Sequence, residues 1–180
     1  MAYINKEEKL TGKRNSFLQT LNEIMINPIN ENQKSILENL MQLYFYDFSE
    51  FNEADVTETG LYGSYPYLDH YWVEKNRYPF FIYVKGKLSG FALVIRIHEG
   101  EQIYYSMSEF FVLKKFRRNG VGAVAAKKLF VQFKGDWRVT QILANQPAQT
   151  FWRKVIHEFT DGRYSEEVNE RNNIQLFTST

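Results

Sequence analysis

Cysteine is absent from the 180 residues, which removes a disulfide framework, a thiolate zinc site, an iron–sulfur centre and a cysteine nucleophile together. Histidine is scarce. His70, His98 and His157 stand far apart, with no HxH or HxxxH spacing, so the sequence suggests neither a metal-binding set nor a Ser-His-Asp order. No stretch approaches the ~18 consecutive apolar residues of a membrane span. The opening MAYINKEEKLTGKRN has no apolar core of the kind a secretory signal carries, so cytoplasmic residence is the expectation. Net charge is nearly absent too: 22 Lys+Arg face 21 Asp+Glu, a formal +1. That sum supports neither a nucleic-acid nor a membrane-surface partner.

What the chain holds in excess is rings. Phe, Tyr and Trp make up 17% of it, enough for a large buried core plus a ring-lined surface or pocket. Hydrophobic residues at 44% and charged residues at 24% are globular values, and the length suits one domain. Residues 1–22 read as an N-terminal extension to a domain spanning 23–180.

Along the chain, Ile24-Met25-Ile26 reads as a short strand before the Asn27-Pro28 break. Asn30 with Gln33 forms a capping-box pattern. Ile36, Leu37, Leu40, Met41, Leu43 and Tyr44 then recur at helical spacing, predicting an amphipathic helix to near Tyr46. From Asp47 to Asp69 six acids stand with no Lys or Arg, among glycines and rings. This stretch is either a solvated surface loop or an acidic, ring-lined substrate wall, and a short helix over LDHYWVEKNR follows it. PFFIYV, LSGFALVIRIH and IYYSMSEFFVLKKF, divided by Lys85-Gly86-Lys87 and His98-Glu99-Gly100-Glu101, predict three antiparallel strands. Strict alternation in the third places Ser106, Ser108, Phe110 and Val112 on one face and Met107, Glu109, Phe111 and Leu113 on the other, so a glutamate interrupts an apolar run. AVAAKKLFVQF predicts a helix that packs Val124, Leu129, Val131 and Phe133 and turns Lys127 and Lys128 outward. RVTQILAN is a strand, PAQTFWRKVIHEF a helix opened by Pro147, and YSEEVNE and NIQLFTS two closing strands.

The most informative element is the junction Arg117-Arg118-Asn119-Gly120-Val121-Gly122-Ala123 between a strand and a helix. Glycines there permit a sharp turn and a close approach to the backbone. The first helical N–H groups have no intrahelical partner, and the helix dipole adds positive potential, which together make an anion cradle. Eight bases, Lys114, Lys115, Arg117, Arg118, Lys127, Lys128, Lys134 and Arg138, fall in this region against one acid, Asp136. A Walker pattern is missing, and so is the third glycine of a dinucleotide fingerprint. The pattern met in full is R/Q-x-x-G-x-G, by Arg117, Gly120 and Gly122.

EFFVLKKFRRNGVGA, followed some way downstream by NQPAQTFW, resembles the paired motifs of the GNAT superfamily of acetyl-CoA-dependent N-acetyltransferases. The likeness covers the order of elements from Ile24 onward. It implies a single α/β (α+β) domain with a mixed, mostly antiparallel sheet of about 6–7 strands, parallel splayed middle strands and about four flanking helices. It implies acetyl-CoA as co-substrate and no metal. Phe111, Val112 and Leu113 would lie along the pantetheine arm, the amides of Arg118, Asn119, Gly120, Val121, Gly122 and Ala123, beside Arg117, would bind the pyrophosphate, and Asn145 and Phe151 would sit across the cofactor.

Acyl transfer needs a neutral amine, so a general base must remove a proton. Glu109 is the candidate, and the family resemblance supports it; the alternative is a structural glutamate paired with a neighbouring strand or helix end. The N–H of Phe111 or Val112 would stabilise the thioester oxygen. Trp152 stands where the family commonly carries a tyrosine that protonates the leaving thiolate, so either Tyr83, Tyr104 or Tyr105 does that work or the thiolate leaves unassisted. The acceptor is expected to be a cationic amine drawn by the acidic stretch and held by its rings. A non-catalytic acyl-CoA-binding module is the second reading. RNA binding is disfavoured, because the bases cluster at a helix start and no aromatic RNA-binding strand motif occurs. The oligomeric state, homodimer included, is left open.

Overall fold

A computed structural model describes residues 23–180; the expected extension over residues 1–22 lies outside the described residues. Strand β1 (Ile24–Pro28) leads through a single 3₁₀ turn (Glu31–Gln33) into helix α1 (Lys34–Phe48). The capping box forms as expected: the Asn30 N–H donates to Gln33 Oε1 at 3.1 Å and the Asn30 side chain accepts in return. Helix α1 continues two residues past Tyr46 and stops where the Ser49 hydroxyl turns back to the Tyr46 carbonyl at 2.7 Å. It buries Leu37, Leu40 and Met41, one i, i+3, i+4 stripe. The short helix α2 is a single turn, His70–Val73.

Strands β2 (Arg77–Val84), β3 (Lys87–Glu99) and β4 (Gln102–Val112) form the expected antiparallel meander. Pro79 lies inside β2. Lys85 and Gly86 both have positive φ, as a two-residue type I′ hairpin turn requires. Helix α3 (Val121–Gln132), strand β5 (Gly135–Ile142), helix α4 (Gln146–Thr160) and strands β6 (Ser165–Val168) and β7 (Asn172–Ser179) complete the chain. The seven strands lie in the order β1-β2-β3-β4-β5-β7-β6, antiparallel throughout except for β4 beside β5.

Two expectations about faces change. Helix α3 buries Val121, Ala125, Ala126, Leu129 and Phe130, while Val131 is exposed. At 100° per residue Val131 stands 200° from Leu129 and points to solvent. Lys128 donates from Nζ to the Ile24 carbonyl at 2.5 Å, pinning the helix to β1. In β4 the register slips: Leu93 pairs Glu109, but the next residue, Val94, pairs Met107. Ser108 is therefore the extra residue of a β-bulge, and the alternation resets across it. Met107 joins Phe110 in the cluster under α3 and α4, with Phe130, Trp137, Trp152, Ile156 and Phe177. Phe111 packs with Leu37, Leu40, Met41, Tyr71, Phe91 and Leu93 on the opposite side.

Candidate active site

The parallel neighbours β4 and β5 pair only at Tyr105–Trp137 and Ser106–Arg138. Beyond Ser106 the two strands run unpaired, and β4 keeps a free edge. Which backbone groups face that edge follows from the β3 ladder. Leu113 N–H donates to the Ser89 carbonyl at 2.9 Å, so by alternation the groups of Phe111 also point to β3 and those of Phe110 and Val112 point into the gap. The amide of Phe111 is thus committed to the sheet, whereas that of Val112 is open.

The N-terminus of α3 closes the mouth of the gap. Gly120 adopts φ +75° and Arg118 φ +62°, and no side chain caps the helix. The first intrahelical bond runs from Val124 N–H to the Gly120 carbonyl at 3.1 Å. The amides of Val121, Gly122 and Ala123 therefore stand without intrahelical partners at the positive end of the dipole. Gly122 has to be small: a Cβ there would lie 3.2 Å from the Phe151 ring and 3.6 Å from Phe110. Phe110 and Phe151 stack at 6.0 Å with Trp152 edge-on to both, so β4, α3 and α4 meet at this point.

The eight expected bases do not all gather here. Lys127 pairs with Glu158 at 2.8 Å, Lys128 holds Ile24, and Arg138 pairs with Glu99 at 3.0 Å beside the β3–β4 turn. Lys114, Lys115, Arg117 and Arg118 remain at the loop. Arg117 is engaged as a brace: its Nε donates to the Val112 carbonyl at 2.6 Å, a terminal amine meets Asp47 at 2.5 Å, and its guanidinium lies 5.4 Å from the Phe111 ring centre. Lys114 reaches the same carboxylate at 3.1 Å. Burial alone would raise the Asp47 carboxyl, yet Arg117 and Lys114 hold it below the ordinary value. The acidic stretch and the basic loop are thus joined rather than opposed. Asp69 is likewise paired with Lys34, leaving Glu50, Glu53, Asp55 and Glu58 exposed.

Glu109 projects to the side of α1 and α2. Burial lifts its carboxyl above the ordinary glutamate value, while hydrogen bonding from Tyr44 and Tyr65 acts in the opposite direction. The Tyr44 hydroxyl donates to Glu109 Oε2 at 2.5 Å, and burial raises both phenols strongly, so they remain protonated donors. Tyr71, 3% exposed, adds a third hydroxyl to the cluster. Phe91 and Phe111 pack edge-on to Tyr44, each at 5.8 Å.

Of the residues expected from the sequence, Gly120, Val121, Gly122, Ala123, Val112 and Phe151 come together around the gap, with Arg118 and Asn119 exposed at its rim. Asn145 caps α4, its Oδ1 accepting from Ala148 N–H at 3.0 Å. Tyr104 bonds Glu99 at 3.1 Å and Tyr105 packs on Trp137 at 5.6 Å, both at the closed end, and Tyr83 lies on β2. None of the three lines the open end. The tyrosines at Glu109 went unnoticed in the sequence. The available signal was Tyr44 on the inward stripe of α1, where a buried hydroxyl demands a partner. Among the described residues no group of His, Cys, Asp and Glu is placed to hold a metal, and no helix is long and apolar enough to cross a membrane.

No curated protein matches the sequence. The fold is similar to that of an acetyltransferase from Thermus thermophilus, with a TM-score of 0.64 at 14% identity over 86% of this chain and 96% of that one. It is similar to spermidine N-acetyltransferase from Vibrio cholerae, solved with CoA and spermine, at a TM-score of 0.59 and 9% identity over 88% and 96%. It is also similar to an aminoglycoside acetyltransferase from an uncultured soil metagenomic sample, solved with sisomicin, at 0.54 and 18% over 74% and 88%. A model of the acetyltransferase (GNAT) family matches residues 37–157, a span that runs from α1 through the half-open β4–β5 pair to α4, and the chain belongs to that family.

Proposed function

We propose that this protein transfers an acetyl group from acetyl-CoA to a cationic amine by direct attack, with Glu109 as the general base. The observation that carries the reading is the half-open β4–β5 pair, with an uncapped helix N-terminus at its mouth and a half-buried glutamate beside it. These features fit coenzyme A. The free amides of Val121, Gly122 and Ala123 suit a pyrophosphate, and the open backbone groups of Phe110 with the Val112 N–H suit an extended amide-bearing arm. Acetyl-CoA supplies an acetyl group activated as a thioester. Val112 N–H is the donor available to the thioester oxygen.

Glu109 takes the proton. The carboxylate takes one proton from the ammonium, directly or through one water; the neutral amine nitrogen then bonds to the acyl carbon, the C–S bond breaks with its electron pair going to the thiolate, and the second N–H proton passes to solvent. The raised carboxyl is better matched to that task than an exposed glutamate would be. Tyr44 and Tyr65 hold the carboxylate in place and remain protonated themselves. Trp152 is packed among Phe110 and Phe130, and none of Tyr83, Tyr104 and Tyr105 lines the open end, so the reading has the thiolate leave without a proton donor from these residues.

The test is Glu109→Gln, assayed by calorimetry for CoA binding and by thiol release for transfer to a panel of amines. Retained binding with lost transfer supports the reading. Retained binding in a wild-type protein that acetylates no amine would point to the binding-module alternative, which the engagement of Glu109 by two tyrosines keeps in view.

A further inference from the structure

The three tyrosines around Glu109 are not equivalent. The Tyr44 hydroxyl donates to the carboxylate, and Tyr65 lies close enough to act on its titration. The Tyr71 hydroxyl is buried and has no hydrogen-bond partner among the described residues. Ser108, the residue extruded by the bulge next to Glu109, lies close to that hydroxyl, as do Tyr65 and Arg77, and none of the three meets the distance and angle of a hydrogen bond. Arg77 sits 5.5 Å from the centre of the Tyr71 ring, but its charge is already met by Glu74 at 2.6 Å. An unmet buried hydroxyl is costly, and none of the described residues offsets that cost beside the candidate base, which leaves the position open to a bound molecule.

The charge available in this cluster is equally specific. Glu109 is its one carboxylate among the described residues. Asp47 is held by Lys114 and Arg117, Asp69 by Lys34, and Glu74 by Arg77 and His70. The remaining acids of the loop, Glu50, Glu53, Asp55 and Glu58, are exposed. The surroundings of Glu109 are otherwise rings: Tyr44, Phe45, Tyr65, Tyr71, Phe91 and Phe111. Such a site can meet one ammonium, through a carboxylate and aromatic faces. A second ammonium drawn in among the rings would have no counter-charge there, and a buried unpaired charge is strongly disfavoured.

We propose that Tyr71 contacts the acceptor directly, and that the acceptor is a small primary amine bearing one positive charge on an apolar or aromatic body, its nitrogen seated between the Tyr71 hydroxyl and the Glu109 carboxylate. This rests on the acetyl-transfer reading above and narrows it. Burial keeps the Tyr71 phenol neutral, pushed up to about 12, so its oxygen can accept an N–H hydrogen bond from the amine. The two polar groups then hold the nitrogen while Glu109 takes its proton.

The experiment measures thiol release from acetyl-CoA by the full chain with 2-phenylethylamine, spermidine and kanamycin, in the wild type and in Tyr71→Phe. Thermal unfolding of both proteins is followed in parallel. The expected result is a kcat/KM for 2-phenylethylamine roughly tenfold or more above those for the two polycations, the sense set by the unpaired second charge. Tyr71→Phe is expected to lower kcat/KM for that amine roughly tenfold, the loss of one hydrogen bond in the bound state, with the KM for acetyl-CoA unchanged. Its unfolding midpoint should be equal to the wild type or higher, because the substitution removes an unmet polar group. A tyrosine with a purely structural role would show the reverse pattern, a lower midpoint with kcat/KM intact, and that result overturns the proposal. So does a preference for spermidine or kanamycin, or an inert response to all three amines while acetyl-CoA still binds. Failure to bind acetyl-CoA at all would instead overturn the acetyl-transfer reading beneath it.

Discussion

On one face of β4, Met107 and Phe110 lie against Phe130, Trp137 and Trp152 under α3 and α4. On the other, Glu109 and Phe111 lie against Tyr44, Tyr65 and Tyr71 under α1 and α2. Both faces are rich in rings, yet they are built for different ends. The first joins rings at short centroid distances, Phe130 with Trp137 at 4.9 Å and with Phe177 at 4.8 Å, and the Trp137 indole N–H is met by the Phe133 carbonyl. The second surrounds a carboxylate with phenols and leaves one hydroxyl unmet among the described residues. The contrast teaches that aromatic content alone says little about function. What distinguishes the faces is whether each ring's polar atom is matched among the described residues.

The comparison can be broken most sharply at Glu109. Glu109→Gln should lower kcat/KM about 10²–10⁴-fold, the usual contribution of a positioned base, with CoA affinity unchanged by calorimetry. In the wild type the base form exists only above the raised native value, so kcat/KM should climb with pH along a limb displaced above the ordinary glutamate range, and the variant should lose that limb. The dry face should answer in stability instead. Trp137→Ala removes a side chain only 1% exposed and should cost about 3–5 kcal/mol in denaturant unfolding; a loss below about 1 kcal/mol would sink the account of that face as the main packing surface.

Smaller effects probe the seam between the faces. Gly122→Val places carbon against Phe151 and Phe110 at the mouth of the gap, and should weaken CoA roughly tenfold, about 1.4 kcal/mol, measured by calorimetry. Asp47→Asn removes the carboxylate shared by Lys114 and Arg117 and should cost about 1 kcal/mol or less, diminishing further as salt is added. Its linkage runs one way. The native Asp47 carboxyl is depressed, so its contribution is present above the ordinary carboxylate value and is lost as pH falls through the native one. A stability difference between wild type and variant that grew on acidification would contradict this.

Much of the fold was legible in local pattern. The capping box at Asn30 and Gln33, the turns at Lys85-Gly86 and Gly100, and the glycine loop before α3 each carry their own short-range chemistry, and each formed where expected. The faces of β4 were legible only up to the bulge. An extra residue in one strand is defined by the partner strand, so nothing within IYYSMSEFFVLKKF announces that Met107 changes sides. Val131 failed for a related reason: apolar character marked it for the core, while its angle on the helix turned it outward.

Short-range chemistry sets the order of elements, the uncapped helix start at Gly120 and the one glutamate in an apolar strand, because propensity, capping and turn chemistry act over a few residues. Tertiary structure decided which groups meet. It joined Asp47 to Arg117 across 70 positions, set Tyr44 on Glu109 across 65, and left the Tyr71 hydroxyl without a partner among the described residues. Such pairings depend on how helices dock on a sheet. Docking is settled by burying whole faces rather than by any neighbouring residue.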